Sequence, residues 1–187
     1  DVCHPLRRNS AVCGALCGIQ YVCTQTELKA KRLDFMSITK EKITVGGIPA
    51  IIWGKPADKA YIHVHGKCSR KEYAEGFAEI AEAKGFQTIS FDLPQHGERA
   101  DEDYPCNIWS GMTDLRKIYD FAAGKWQSIS LFACSIGAFF SLSSLDETLV
   151  SKAYFISPVV DMEKLIRNML MVMAKKNLEL SRRSLHT

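Results

Sequence analysis

The chain has 187 residues, 47% of them hydrophobic and 24% charged, the proportions of one soluble globular domain and too little for two ordinary ones. The formal charge of +3 is mild, whereas a nucleic-acid partner would need basic residues clustered on one face. No run reaches the roughly 18 apolar residues of a membrane span, and no glycine-rich dinucleotide fingerprint or P-loop is present, so neither a membrane nor a cofactor is expected.

The seven cysteines are unevenly spread. Cys3, Cys13, Cys17 and Cys23 crowd the start, and Cys68, Cys106 and Cys134 are scattered through the rest. An odd number without a regular framework argues against a disulfide-built secreted domain. The early spacings lack the C-x2-C knuckle of common zinc sites, so no metal is expected and the thiols point to a reducing, cytoplasmic compartment. Arg7-Arg8 ahead of the apolar run over 11–23 imitates a signal peptide, but Gly14, Gly18 and Gln20 dilute it and no small-residue cleavage site follows. Residues 1–35 carry no sustained helix or strand period and are expected to be an extension outside the fold.

Regular patterns begin near residue 36. Residues 42–45 and Ile48–Trp53 are β-type runs flanking Gly46-Gly47, and a two-residue hairpin turn needs positive φ at both central positions. A third strand covers 60–65 and ends at Gly66. Ser69-Arg70-Lys71-Glu72 has the form of a capping box. The helix it opens carries Tyr73, Phe77, Ile80 and Ala81 at helical spacing and stops at Gly85. Residues 86–91 form the next strand, followed by a polar loop. Ile108, Met112, Leu115, Tyr119 and Ala122 mark a second amphipathic helix, stopped by Gly124. A strand over 128–133, a short helix over 136–145, a strand over Ala153–Ile156 and a strongly apolar helix over 162–173 complete the pattern. Strands alternating with helices predict an α/β fold, a mostly parallel sheet with helices on both faces behind an N-terminal antiparallel hairpin. Residues 36–173 are the expected domain and 174–187 a polar tail.

Chemistry concentrates at Ala133-Cys134-Ser135-Ile136-Gly137, between a strand run and a helix run. A nucleophile elbow has this context. Its serine sits in a strained conformation, so the residues two before and two after must be small, as Ala133 and Gly137 are. A Cys134 nucleophile would put the bulky Phe132 and Ile136 at those positions, and the turn could not close. A serine that merely caps an ordinary βα turn would give the same pentapeptide. Two loops bear on that choice. His65-Gly66-Lys67 follows the third strand, where one backbone N–H of an oxyanion hole is needed. Lys67 N–H and Ile136 N–H are the candidate pair. Asp92-Leu93-Pro94-Gln95-His96-Gly97 follows the fourth strand.

In this order and on these elements, the three motifs resemble those of bacterial-type serine hydrolases of the α/β-hydrolase superfamily, over residues 40–173, with Ala133 in place of the more usual glycine. The resemblance implies a hydrolase acting on an ester, thioester or related acyl bond of a small substrate. Ser135 would attack the carbonyl, Lys67 and Ile136 would hold the oxyanion, and a histidine oriented by an acid would take the serine proton. In the superfamily the acid and then the histidine follow the serine. Here the one histidine after Ser135 is His186, in a polar tail without a strand to carry it. His63, His65 and His96 precede the elbow and read as hydrogen-bonded structural groups. Asp161 reads as the N-cap of the last helix. The resemblance also implies strands beyond the sixth, so the domain is expected to be an incomplete α/β-hydrolase fold that stops short of its acid and base. The open edge of its sixth strand would then pair copies into a homo-oligomer. A non-catalytic fragment or binding module on the same front half is the alternative.

Overall fold

A computed structural model of the chain describes residues 38–167 and Met171. The expected extension over 1–35 with its early cysteines, the far part of the apolar helix, and the tail over 174–187 with His186 lie outside the described residues.

The described residues form one six-stranded sheet: β1 (Lys40–Val45), β2 (Ile48–Trp53), β3 (Lys59–Val64), β4 (Gln87–Phe91), β5 (Ser128–Cys134) and β6 (Ala153–Ile156), in the order β1-β2-β4-β3-β5-β6. β2 pairs antiparallel with both β1 and β4, whereas β3 runs parallel to β4 and β5, and β5 parallel to β6. The opening hairpin turns at Gly46 (φ 55°) and Gly47 (φ 86°), angles that cost glycine little, and Val45 pairs with Ile48 across it. β4 is buried along its whole length, as a strand covered on both faces must be. β1 is the charged, exposed edge, with Lys40, Glu41 and Lys42 in solvent.

Alternate residues of the sheet feed two cores. On one face Ile52, Ile62, Ile89, Phe91 and Leu131 pack with Leu115, Ile118 and Ala122 of α2 (Ile108–Lys125) and with Ala138 and Phe140 of α3 (Ile136–Ser144). On the other, Ile51 and Trp53 pack with Ala74 and with Ala78 of α1 (Glu75–Glu82). Burying each large apolar side chain contributes about 1.5–3 kcal/mol, so the α2/α3 face carries most of the apolar stabilisation. Helices on both faces of a mostly parallel sheet behind an antiparallel hairpin are the architecture expected from the pattern.

Three local expectations are corrected. The capping box over 69–72 does not form: a 3-10 turn over Lys71–Ala74 precedes α1, with Arg70 at its N-cap and no side-chain cap. The Lys71 N–H donates instead to Asp92 Oδ1 at 2.9 Å, from the loop after β4. An ionised carboxylate is a stronger acceptor than the Ser69 hydroxyl, so a tertiary contact replaces the local one. Next, of the face expected on α1, Ala81 is buried and Phe77 stacks on Phe132 of β5 with ring centroids 4.1 Å apart, but Tyr73 and Ile80 are 64% and 60% exposed, and Ala78, with Ala74 of the preceding turn, is buried instead. The three alanines let the helix lie close to the sheet beside the Phe77 ring. Finally, Gly124 does not stop α2, which runs on to Lys125 with Trp126 as C-cap. A Cβ at this exposed glycine would meet nothing within 4 Å, so the helix simply passes through it. Asp161 is the N-cap expected of it: the chain is helical from Met162, and Lys164 N–H donates to Asp161 Oδ1 at 2.8 Å. No helix among the described residues is long and apolar enough to cross a membrane.

Candidate active site

The three motif loops all leave the carboxyl ends of parallel strands, where open α/β sheets present their crevice. His65-Gly66-Lys67 follows β3, Asp92–Gly97 follows β4, and Ser135 joins β5 to α3. The last of these is the most unusual. Ser135 has φ 51° and ψ −116°, outside the left-handed helical well as well as the ordinary ones. Such a conformation costs on the order of 1–3 kcal/mol and persists only where its surroundings over-determine it. An N-cap serine would be extended, with its hydroxyl on the first turn. Ser135 occupies the N-cap position, yet its side chain makes no cap hydrogen bond. The plain capping reading of the pentapeptide is therefore set aside by the geometry.

The neighbours are small because the backbones touch. A Cβ on Gly137 would lie 2.5 Å from His65 O and 2.7 Å from Val64 O. A Cβ on Gly66 would lie 3.2 Å from Ser135 Cβ and 3.4 Å from Cys134 O. Ala133 is fully buried. The β3 loop is thus pressed against the elbow, with no room at Gly137 for any side chain. Gly137→Ala is expected to cost about 3 kcal/mol, the upper end of ordinary overpacking penalties, because backbone rather than a flexible side chain must yield. A urea unfolding midpoint unchanged from wild type would sink this account of the elbow.

Ile136 is the first residue of α3, so its N–H has no acceptor within the helix, and the positive end of the helix dipole lies there. Lys67 directly follows Gly66, the residue against Ser135, and its side chain is exposed. Cys134 is half-buried and burial raises its thiol pKa, which disfavours the thiolate a cysteine nucleophile needs.

The described histidines are engaged elsewhere. His65 donates from Nδ1 to Gly66 O at 2.7 Å and accepts Leu93 N–H on Nε2 at 3.1 Å. Because Leu93 N–H can only donate, Nε2 must be bare, and the ring is neutral with its proton on Nδ1. It ties the β3 loop to the β4 loop. Burial, against the Gly66 hydrogen bond, pushes its pKa down to about 4. His63 stacks on Phe132, ring centroids 5.3 Å apart, and its pKa is likewise pushed to about 4, first by burial and then by the His65 ring. Its Nδ1 is buried without a partner, so the hydrogen bond expected of this ring is not made at that atom. His96 Nδ1 donates to Pro94 O at 2.8 Å. Among the described residues no histidine hydrogen-bonds Ser135, and no cluster of groups could hold a metal ion.

Pattern reading missed the ionic framework behind the site. Buried Asp92 takes Lys71 Nζ at 2.6 Å, and buried Arg99 takes Asp114 at 2.7 Å. The available signal was Asp92 directly after a central strand, between the apolar Phe91 and Leu93, a position where a buried charge survives only with a partner.

No family profile and no curated protein matches the sequence. Solved structures do. The chain is similar to the Pyrococcus furiosus esterase Pf2001, at 20% identity and a TM-score of 0.60, over 74% of this chain and 58% of that one. It is similar to a predicted CIB-like hydrolase of Thermoplasma acidophilum, at 15% identity and a TM-score of 0.53, over 71% and 68%. It is also similar to a cold-adapted esterase from an Arctic intertidal metagenomic library, at 20% identity and a TM-score of 0.52, over 64% and 61%. The chain thus spans under two thirds of the length of the two esterases. Likeness at this identity establishes the fold, that of the α/β hydrolases, and leaves the chemistry to the residues.

Proposed function

We propose that this chain is built as a serine hydrolase that cleaves an ester, thioester or related acyl bond of a small substrate, with Ser135 as nucleophile. The observation that carries the reading is the Ser135 backbone, held at φ 51° and ψ −116° while its hydroxyl caps nothing. A costly conformation that frees a hydroxyl at the mouth of the sheet has a use in nucleophilic attack and none in packing. In this reading Ser135 Oγ attacks the substrate carbonyl, and the N–H groups of Lys67 and Ile136 hold the oxyanion. Each such donor is typically worth about 10²–10³ in rate. Among the described residues His63, His65 and His96 are engaged elsewhere, so the histidine that takes the serine proton, and its acid, are not identified among them. Likeness to esterase and hydrolase structures supports the same class.

A fluorophosphonate probe tests it, since attack by Oγ forms an Oγ–P bond and expels fluoride. The expected result is single-site labelling of the folded chain, abolished in Ser135→Ala and kept in Cys134→Ala. A chain shown by circular dichroism to be folded, yet never labelled, would reject the nucleophile and leave a non-catalytic binding module on the same fold.

A further inference from the structure

The Ser135 carbonyl accepts Ala138 N–H at 3.1 Å and Phe139 N–H at 3.4 Å from the first turn of α3, and the Ser135 backbone is also held from outside its own turn. Ser135 N–H donates to Ile156 O at 3.0 Å, and Val159 N–H donates to Ser135 O at 3.3 Å. Both partners come from one short segment: Ile156 is the last residue of β6, and Val159 lies three residues beyond it. The last rung of the β5–β6 ladder is Cys134 opposite Ile156, so the segment is anchored beside the residue preceding the nucleophile. Between the two contacts Ser157 has φ 45°, rare for a residue other than glycine, and Pro158 follows. This bend turns the chain out of the ladder and back, so that a carbonyl and an N–H three residues apart both meet the backbone of Ser135. Rotating Ser135 toward an ordinary negative φ would swing its N–H away from Ile156 O and its carbonyl away from Val159 N–H. The two bonds therefore resist the same motion.

We propose that the bend over 156–159 is a positioning device for Ser135, with Val159 as the positioning residue acting through its backbone N–H. The reactivity of the serine then depends on the docking of β6 and its bend, not on the elbow alone. The proposal rests on the reading of Ser135 as nucleophile for its effect on reactivity, while its claim about the backbone stands independently.

The test removes the Val159 N–H. Val159→Pro does so genetically. Replacing Val159 with α-hydroxyisovaleric acid does so with the side chain intact, and it decides the matter if the proline variant does not fold. Val159→Ala keeps the N–H and serves as the conservative variant. Two quantities are read: the 13Cα and 13Cβ shifts of Ser135, assigned by their loss in Ser135→Ala, and the second-order rate of fluorophosphonate labelling. The ester-linked chain is expected to show displaced Ser135 carbons and labelling slowed by about 10- to 100-fold, as small misplacements of a reacting group do. Val159→Ala is expected to match wild type in both. Unmoved Ser135 carbons in the ester-linked chain would overturn the proposal. If wild type itself does not label, the nucleophile reading fails, and the carbon shifts still decide whether the bend holds the serine.

Discussion

Titrating the protein from about pH 7 to about pH 4 is expected to remove most of its stability, through two histidines that fold in the neutral form. His63 and His65 each have a pKa pushed down to about 4 from an ordinary 6.5, chiefly by burial. Above 6.5 both rings are neutral whether the chain is folded or not, and they contribute no slope. Between 6.5 and 4 the unfolded chain binds protons that the folded chain refuses, so stability falls as pH falls. A shift of this size corresponds to about 3 kcal/mol per ring, or about 6 kcal/mol for the pair. Domains have about 5–15 kcal/mol in total, so the effect is decisive. The geometry gives each ring its reason. Protonating His65 would set an Nε2–H against Leu93 N–H, breaking the bond between the β3 and β4 loops. Protonating His63 would put a buried charge between the Phe77 and Phe132 rings and beside His65, a cost that outweighs the one backbone hydrogen bond open to the charged ring. Urea midpoints measured across this range should drop steeply, and His63→Phe should remove about half of the slope. A midpoint that stays flat from pH 6.5 to 4.5 would refute the buried neutral rings.

The parts of this structure that were legible in the sequence are those set by short-range rules. Gly46-Gly47 demands a two-residue hairpin wherever it sits between strands, and it makes one. The Ala133–Gly137 spacing admits one serine between small neighbours, and Gly137 has no space for a side chain. The features that escaped are set by what folds next to them. The Ser69–Glu72 box was outcompeted by Asp92, which lies far along the chain. Of the apolar face expected on α1, Phe77 and Ala81 pack on the sheet, while Tyr73 and Ile80 stay exposed and Ala74 and Ala78 are buried in their stead. At the site, the position of Ser135 was legible and the support of its backbone was not. Ile156 and Val159 meet it only because β6 docks beside β5, a long-range pairing with no local signature.

Asp92→Asn, an isosteric change, is expected to destabilise the protein by about 2–3 kcal/mol, and Asp92→Ala by about 4 kcal/mol. Asp92 is fully buried and faces donors only. Oδ1 accepts Lys71 N–H at 2.9 Å, while Oδ2 accepts Lys71 Nζ at 2.6 Å and Glu98 N–H at 3.0 Å. An asparagine amide must turn its NH2 toward one of these donors whichever way it is flipped, so a shape-conserving change still fails. Lys71 is itself buried. Burial works to lower its pKa, but hydrogen bonds to Asp92, Glu98 and Glu72 outweigh that and hold the ammonium above its ordinary value. Beside Asp92 it is therefore charged. Glu72 at 3.1 Å and Glu98 at 3.0 Å remain beside it, which keeps the cost below that of a wholly abandoned buried charge. Removing both charges in Lys71→Met with Asp92→Leu should recover part of the loss, since the ion pair gives way to apolar packing. The recovery should be incomplete, because the Lys71 and Glu98 N–H groups still lack acceptors. Gly97 belongs to the same knot: its φ is 56°, and a Cβ there would lie inside the Asp92 carboxylate. The consequence reaches the candidate site, because Leu93, next to Asp92, holds His65, and Gly66 rests against Ser135. Asp92→Asn should accordingly slow fluorophosphonate labelling under conditions where the variant is still folded. Wild-type urea stability in Asp92→Asn would show that shape, not the charge of the carboxylate, holds the β4 loop.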